Sequence, residues 1–136
     1  MIAFNKRIRD ELLAHATKES PHEACGVIAG TINGEAREVV RVYECTNADP
    51  YPDVGYEIEP TELLRVMEDA EGKSLEILGF YHSHPMSLAR PSMVDESKAT
   101  WPGHSYVIVS PKSTEQITSW IWDEGRGFVA EEVIVN

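Results

Sequence analysis

The stretch LEILGFYHSHP, residues 75–85, is a run of apolar side chains that ends in two histidines one residue apart and stops at a proline. A continuous apolar run, unlike an alternating one, is the pattern of a central strand covered on both faces. In a strand, residues i and i+2 project from the same face. His82 and His84 therefore point the same way, and their ring nitrogens can converge on one ion. A polar strand end with two solvated imidazoles is the competing reading.

Working outward, PMSLARPS (85–92) is a proline-bounded loop, and a short helix is expected over about 93–100. Asp95 falls one turn into that helix, eleven residues after His84. A loop folding back over a strand end closes that distance easily. Two imidazoles and a carboxylate are the three protein ligands of a catalytic zinc site, which leaves its fourth position to water. Ser92-Met93-Val94-Asp95 also reads as a capping box with Asp in the usual place of Glu. The two uses of Ser92 are compatible, and the residues alone leave a metal site and a simple capped helix both open.

The rest of the chain fits one α/β domain with a mixed sheet. Asn5 is a plausible N-cap for a helix over 6–19, with Ile8, Leu12 and Ala16 on one stripe and Leu13 beside it. Two strands around Asn33-Gly34 form a hairpin. ADPYPDVGYEIEP (48–60) has three prolines and a glycine, so it is largely loop, with a short strand near Tyr56–Ile58. Pro60 opens a second helix whose Leu63, Leu64, Met67 and Ala70 face the core, with Gly72 as its stop. SYVIVSP, QITSWIWD and GFVAEEVIVN supply three further strands, the last two joined by a glycine-containing turn.

At 136 residues and 42% hydrophobic content the chain is long enough for a single core and too apolar for disorder. Its formal charge of −11 repels phosphate backbones and argues against nucleic acid as a partner. No apolar run approaches the roughly 18 residues of a membrane helix. MIAFNKRIRDELL lacks the apolar core of a signal peptide, so a cytoplasmic location is the expectation. Cys25 and Cys45 form no C-x-x-C pair, which excludes a zinc knuckle or a thioredoxin motif.

HSHPMSLARPSMVD, residues 82–95, fits the signature of the JAMM, or MPN-plus, zinc metalloprotease family: His, Ser or Thr, His, Pro, six residues, Ser, two residues, Asp. His82, Ser83, His84, Pro85, Ser92 and Asp95 fill every specified position. SPHEACGVIAG (20–30) resembles the family's segment with a glutamate shortly before Cys-Gly and an apolar strand. Over nearly the whole chain the element order also resembles the short archaeal and bacterial members. The resemblance implies a single MPN domain over residues 1–136, a mixed central sheet flanked by helices, in a cytidine-deaminase-like architecture.

It also implies roles. His82, His84 and Asp95 would hold one Zn²⁺ per chain, with Glu23 as general base and Ser92 as donor to the tetrahedral oxyanion. Ser83 should point to the opposite strand face and takes no chemical role, while Pro85 and Pro91 stiffen the loop. Cys25 could line the site but reads more simply as a small buried residue, and His22 as a surface one. Trp101, Trp120 and Trp122 read as core or lip aromatics.

The leading expectation of function is a zinc isopeptidase that releases a ubiquitin-like β-grasp modifier, ending in Gly-Gly, from lysine side chains. NADPYPDVGYEIEP would be a flexible substrate lip, with Tyr51, Val54 and Tyr56 as binding residues that order around an extended tail. The same chemistry could instead process a sulfur-carrier protein. A non-catalytic MPN interaction module is the alternative from another class. A zinc deaminase is excluded, because H-x-E with P-C-x-x-C is absent.

Overall fold

In the computed structural model, which describes residues 1–136, the apolar run is a strand at the centre of the sheet, Glu76–Ser83, buried from Leu78 onward. In chain order the elements are β1 (Ile2–Phe4), α1 (Lys6–Glu19), β2 (Cys25–Asn33), β3 (Ala36–Cys45), α2 (Pro60–Gly72) and β4 (Glu76–Ser83). They continue with α3 (Met93–Lys98), β5 (Ser105–Val109), β6 (Ile117–Asp123), β7 (Gly127–Glu131) and β8 (Val133–Val135). The sheet runs β7-β6-β5-β4-β2-β3-β1-β8. It is mixed: β4 is parallel to β5 and antiparallel to β2, and β1 is parallel to both β3 and β8.

β7 and β8 sit at opposite ends of this order, yet only Glu132 separates them in the chain. Two residues of chain span at most about 7 Å. The sheet must therefore curl until its two edges meet. GFVAEEVIVN, expected as one strand, is for this reason two: the chain leaves one edge at Glu131 and joins the other at Val133.

Each face of the curled sheet has its own core. Ile8, Leu12, His15 and Ala16 of α1, spaced at helical intervals, are buried on one face. Ile8, Leu12 and Ala16 pack there with Ile2, Phe4, Ile28, Leu78, Tyr81, Val107 and Val109. Asn5 caps the helix as expected, accepting the Ile8 N–H at 2.9 Å. On the other face Cys25, Val27, Cys45, Phe80 and Tyr106 meet Val66 of α2 and Ala99 beyond α3. Phe80 and Tyr81, neighbours in β4, thus enter different cores, as a strand covered on both sides requires.

Three further local expectations are corrected. The hairpin loop is Gly34-Glu35, one residue later than Asn33-Gly34, because Asn33 stays in the ladder and Gly34 takes the positive φ (+66°). A single positive φ at the first loop position is what a type II′ turn demands, and Gly supplies it without a clash. In α2 the buried stripe is Leu63, Val66 and Ala70, whereas Leu64 and Met67 face solvent. Both stripes have helical spacing; packing against Phe80 and its neighbours selects the first. No strand forms at Tyr56–Ile58, where a side-chain amide takes the place of a ladder. Ile2–Phe4, too short to show a period, adds a strand that the sequence pattern did not reveal.

Candidate metal centre

The pairing of β2 with β4 builds the site. Cys25 lies opposite His82, and continuing the antiparallel register puts Ala24 opposite Ser83 and Glu23 opposite His84. The Ser83 N–H donates to the Ala24 carbonyl at 3.0 Å, which extends the ladder one step past the strand ends. Residues directly opposite share a sheet face. Glu23 is thereby delivered to the face from which His82 and His84 project. The Ser83 hydroxyl accepts the Ala24 N–H at 2.7 Å and so fixes the backbone next to Glu23.

The histidines converge. His82 Nε2 and His84 Nε2 are 3.2 Å apart, and each is 3.1 Å from Asp95 Oδ2. All three residues are buried. Tetrahedral zinc with bonds of about 2.0–2.1 Å separates its ligand atoms by about 3.3 Å. The triangle observed is close to one face of that tetrahedron, so the donor set fits zinc in both chemistry and size. Asp95 Oδ2 also accepts the Ser92 N–H at 2.9 Å, while Ser92 Oγ accepts the Asp95 N–H at 3.0 Å. The capping box at the start of α3 and the metal-ligand set are therefore one structure.

Electrostatics follow from burial and pairing. Burial alone would raise the Asp95 carboxyl, but hydrogen bonds from His82, His84 and the Ser92 backbone hold it well below the usual carboxylate range. Burial lowers the His82 pKa against the pull of Asp95. For His84, burial is outweighed by Asp95 and by the Leu88 carbonyl, and its pKa rises. Glu23, 5% exposed, is pushed up to about 8 by burial and by the charges of Asp95 and Asp49, partly offset by His84. One of its carboxylate oxygens, Oε1, has no hydrogen-bond partner.

Residues 5–123 match the family described as prokaryotic homologs of the JAB domain. The chain belongs to that family. It is 38% identical over 122 residues to a desampylase of Haloferax volcanii, covering 87% of this chain and 86% of the relative. It is 39% identical over 126 residues to the CysO-cysteine peptidase of Mycobacterium tuberculosis, covering 90% of this chain and 82% of the relative. Among solved structures, a protein from Desulfitobacterium hafniense superposes with a TM-score of 0.90 at 36% identity, over 100% of this chain and 93% of that one. Membership settles the fold expected from the JAMM signature: one JAB (MPN) domain with a mixed sheet flanked by helices.

Two loops complete the JAB site. The loop after His84 is pinned from the sheet by Ser110 Oγ, which donates to the Ser87 carbonyl, and by Thr118 Oγ1, which donates to the Ala89 carbonyl at 2.6 Å. His84 Nδ1 in turn donates to the Leu88 carbonyl at 2.8 Å, so a neutral His84 would present the Nε2 lone pair to a metal in the triangle. The loop before α2 is organised by Asn47. Its amide nitrogen donates to the carbonyls of Glu23 and Gly55, both at 3.0 Å, and its oxygen accepts from Asp49 N and Glu57 N. The Pro52 carbonyl accepts the Glu23 N–H at 2.7 Å, and Lys98 of α3 pairs with Asp49. This is a tied loop, so the expectation of a flexible lip is revised.

Tyr51 and Val54 stand exposed on that loop, 73% and 62% accessible. Tyr56 does not: half-buried, it stacks on the His82 ring. Cys25 is fully buried opposite His82, its thiol pushed up to about 12 by burial, and acts as a small core residue. His22 is exposed and pairs with Asp53. Trp101 and Trp122 pack against the second core. Sequence reasoning missed Asn47, Lys98, Ser110 and Thr118. Only Asn47 left a trace, in the Asn-x-Asp spacing of side chains that bond the backbone two residues on.

Proposed function

We propose that this JAB protein is a zinc-dependent peptidase that hydrolyses the bond between the C-terminal glycine of a ubiquitin-like modifier and a lysine side chain, or the residue that follows it in a linear fusion. One observation carries this reading. A buried carboxylate, Glu23, stands opposite His84 with an oxygen unpartnered, beside three donors spaced as on one face of a zinc tetrahedron.

Bound zinc supplies Lewis acidity toward the scissile carbonyl and lowers the pKa of the attacking water. His82, His84 and Asp95 would hold it. Glu23 accepts the water proton and returns it to the leaving amine. A general base works best with a pKa near the operating pH, and burial has moved Glu23 in that direction. The Ser92 hydroxyl already accepts from the Asp95 N–H, so its own O–H remains to donate to the tetrahedral oxyanion. A contact of that type is worth about 2.7–4 kcal/mol.

The substrate class is supported by the desampylase relative and by the shape of the rims. Tyr51 and Val54 on one loop, and Met86 and Leu88 on the other, expose apolar side chains on the two segments that carry the site. A Gly-Gly tail has no side chains to exclude it from close approach. A β-grasp modifier bearing that tail would add backbone hydrogen bonds in the manner of strand addition. The 39% identity to a CysO-cysteine peptidase favours a second substrate for the same chemistry, a sulfur-carrier protein with an amino acid attached at its C-terminus.

The test is a cleavage assay with purified full chain, with and without chelator. Chelator-sensitive release of a Gly-Gly modifier from lysine supports the first reading, and release of a single residue from a carrier's C-terminus supports the second. Zinc bound without cleavage of either substrate, or of a linear Gly-Gly fusion, would make the chain an interaction module and overturn both.

A further inference from the structure

The two histidines of the triangle are oriented by different means. His84 has the usual support of a metal-binding imidazole, its Nδ1 donating to the Leu88 carbonyl at 2.8 Å. His82 has none: its Nδ1 is buried and has no hydrogen-bond partner. A ring attached to the backbone through two rotatable bonds, with no hydrogen bond at its far nitrogen, depends on packing to keep Nε2 toward the triangle. One wall of that packing is an aromatic face. The Tyr56 ring lies 4.6 Å from the His82 ring, centroid to centroid, with 19° between their planes. In that stacked geometry, rotation of the imidazole out of plane drives its edge into the tyrosine ring.

Tyr56 is itself held from both sides in sequence. Asn47 donates to the carbonyl of Gly55 and accepts from the N–H of Glu57, the two residues that flank Tyr56. Gly55 packs close to the Asp49–Lys98 pair: a Cβ there would sit 3.0 Å from Asp49 Oδ2 and 3.3 Å from Lys98 Nζ, and those side chains would have to shift by a few tenths of an ångström. Tyr56, Ile58, Leu63, Phe80, Trp101 and Tyr106 help to line a cavity of about 380 Å³. The same amide of Asn47 also holds the Glu23 carbonyl. One side chain thus sets the position of both the base and the stacking ring.

We propose that Tyr56 is the positioning residue of His82, its ring supplying by stacking the orientation that the Leu88 carbonyl supplies to His84. The inference rests on the metal ligands assigned under the proposed function. It requires the aromatic face and not the hydroxyl, so phenylalanine replaces tyrosine and leucine does not.

The experiment is an equilibrium competition for Zn²⁺ between the purified full chain and a chromogenic chelator, on wild type, Tyr56→Phe and Tyr56→Leu. Metal-free melting temperatures measured alongside report whether each variant folds. The phenylalanine variant should bind within about threefold of wild type. The leucine variant should lose about 10–100-fold in affinity, the usual cost of removing an orienting partner. A folded leucine variant that binds as tightly as wild type overturns the proposal, as does a folded phenylalanine variant that loses affinity. If the leucine variant does not fold, the ring protons of His82 decide in wild type: they should resonate upfield from the Tyr56 ring current, and unshifted lines overturn the stacking. A wild type that binds no zinc sinks the metal assignment instead, so the two failures are distinguishable.

Discussion

The two loops that meet at the metal centre are held by opposite means. The loop from His84 to Ser92 is short, bounded by Pro85 and Pro91, and pinned from outside by hydroxyls of Ser110 and Thr118. The loop from Thr46 to Glu59 is pinned largely from within, by one asparagine that makes three hydrogen bonds inside it and a fourth to the Glu23 carbonyl. The first brings Ser92 and Asp95 to the histidines; the second supports Glu23 and Tyr56. The first loop thus delivers Ser92 and Asp95 and orients His84 through the Leu88 carbonyl, while the second holds the backbone of Glu23 and sets the Tyr56 ring against His82.

The largest effects should come from the chemical groups themselves, and they should split. His84→Ala removes one corner of the ligand triangle, so zinc measured by metal analysis should be largely lost along with activity. Glu23→Gln keeps the size of the side chain and all three ligands. Zinc should stay near one per chain while turnover falls by at least about 10²-fold. Loss of zinc in the glutamine variant would make Glu23 a ligand and erase the division between metal holding and proton transfer.

Next comes the inner brace. Asn47→Ala leaves the carbonyls of Glu23 and Gly55 and the N–H groups of Asp49 and Glu57 without their partner. Each buried group left unpaired costs about 1–3 kcal/mol, although water will reach the more exposed ones. Denaturant melts should show a loss of about 2–4 kcal/mol, and turnover should fall more than the fraction unfolded explains. Ser110→Ala, the matching cut in the outer loop, removes one side-chain hydrogen bond, to the Ser87 carbonyl, and should cost about 1 kcal/mol. If the two substitutions cost the same, the loops do not differ in how they are held.

The same contrast explains how much could be read from the sequence. His82, His84, Ser92 and Asp95 were legible because strand periodicity and a helix cap fix their relative positions over a short stretch, and the JAMM signature records that spacing. Glu23 was legible only through resemblance, since its approach to His84 depends on β2 pairing with β4 across nearly sixty intervening residues. Tyr56 was picked out for the wrong reason. A tyrosine in a Pro/Gly-rich segment looks like an exposed lip residue, and nothing in local spacing reveals that Asn47 turns it inward onto His82. The α2 stripe failed on similar grounds: two apolar stripes of equal local merit were available, and only tertiary packing chose between them. Periodicity reports which faces exist, and long-range pairing decides which of them is used.

The smallest effect is a pH slope, and it tests the burial of Glu23 apart from catalysis. In metal-free protein the Glu23 pKa of about 8 lies above its ordinary 4.5. Between those values the folded chain keeps a proton that the unfolded chain has released, so stability falls as pH rises through the window. Glutamine carries no such proton. His15 and His82, whose pKa values burial lowers, act in the opposite direction: their contribution is lost as pH falls below about 6.5. They are present in both proteins and largely cancel in the difference. Asp95, held low, contributes stability that is lost only as pH falls below the usual carboxylate range, outside this window. The part of the raised His84 pKa that comes from Glu23 disappears in the variant and works in the same sense as Glu23 itself. With chelator present, the melting temperature of Glu23→Gln minus that of wild type should therefore widen as pH rises from about 5 to about 8, by about 2–6 °C for each kcal/mol of this linkage. Parallel curves would mean that the carboxylate is hydrated in the folded protein, and that the tied Asn47 loop does not seal the base away from water.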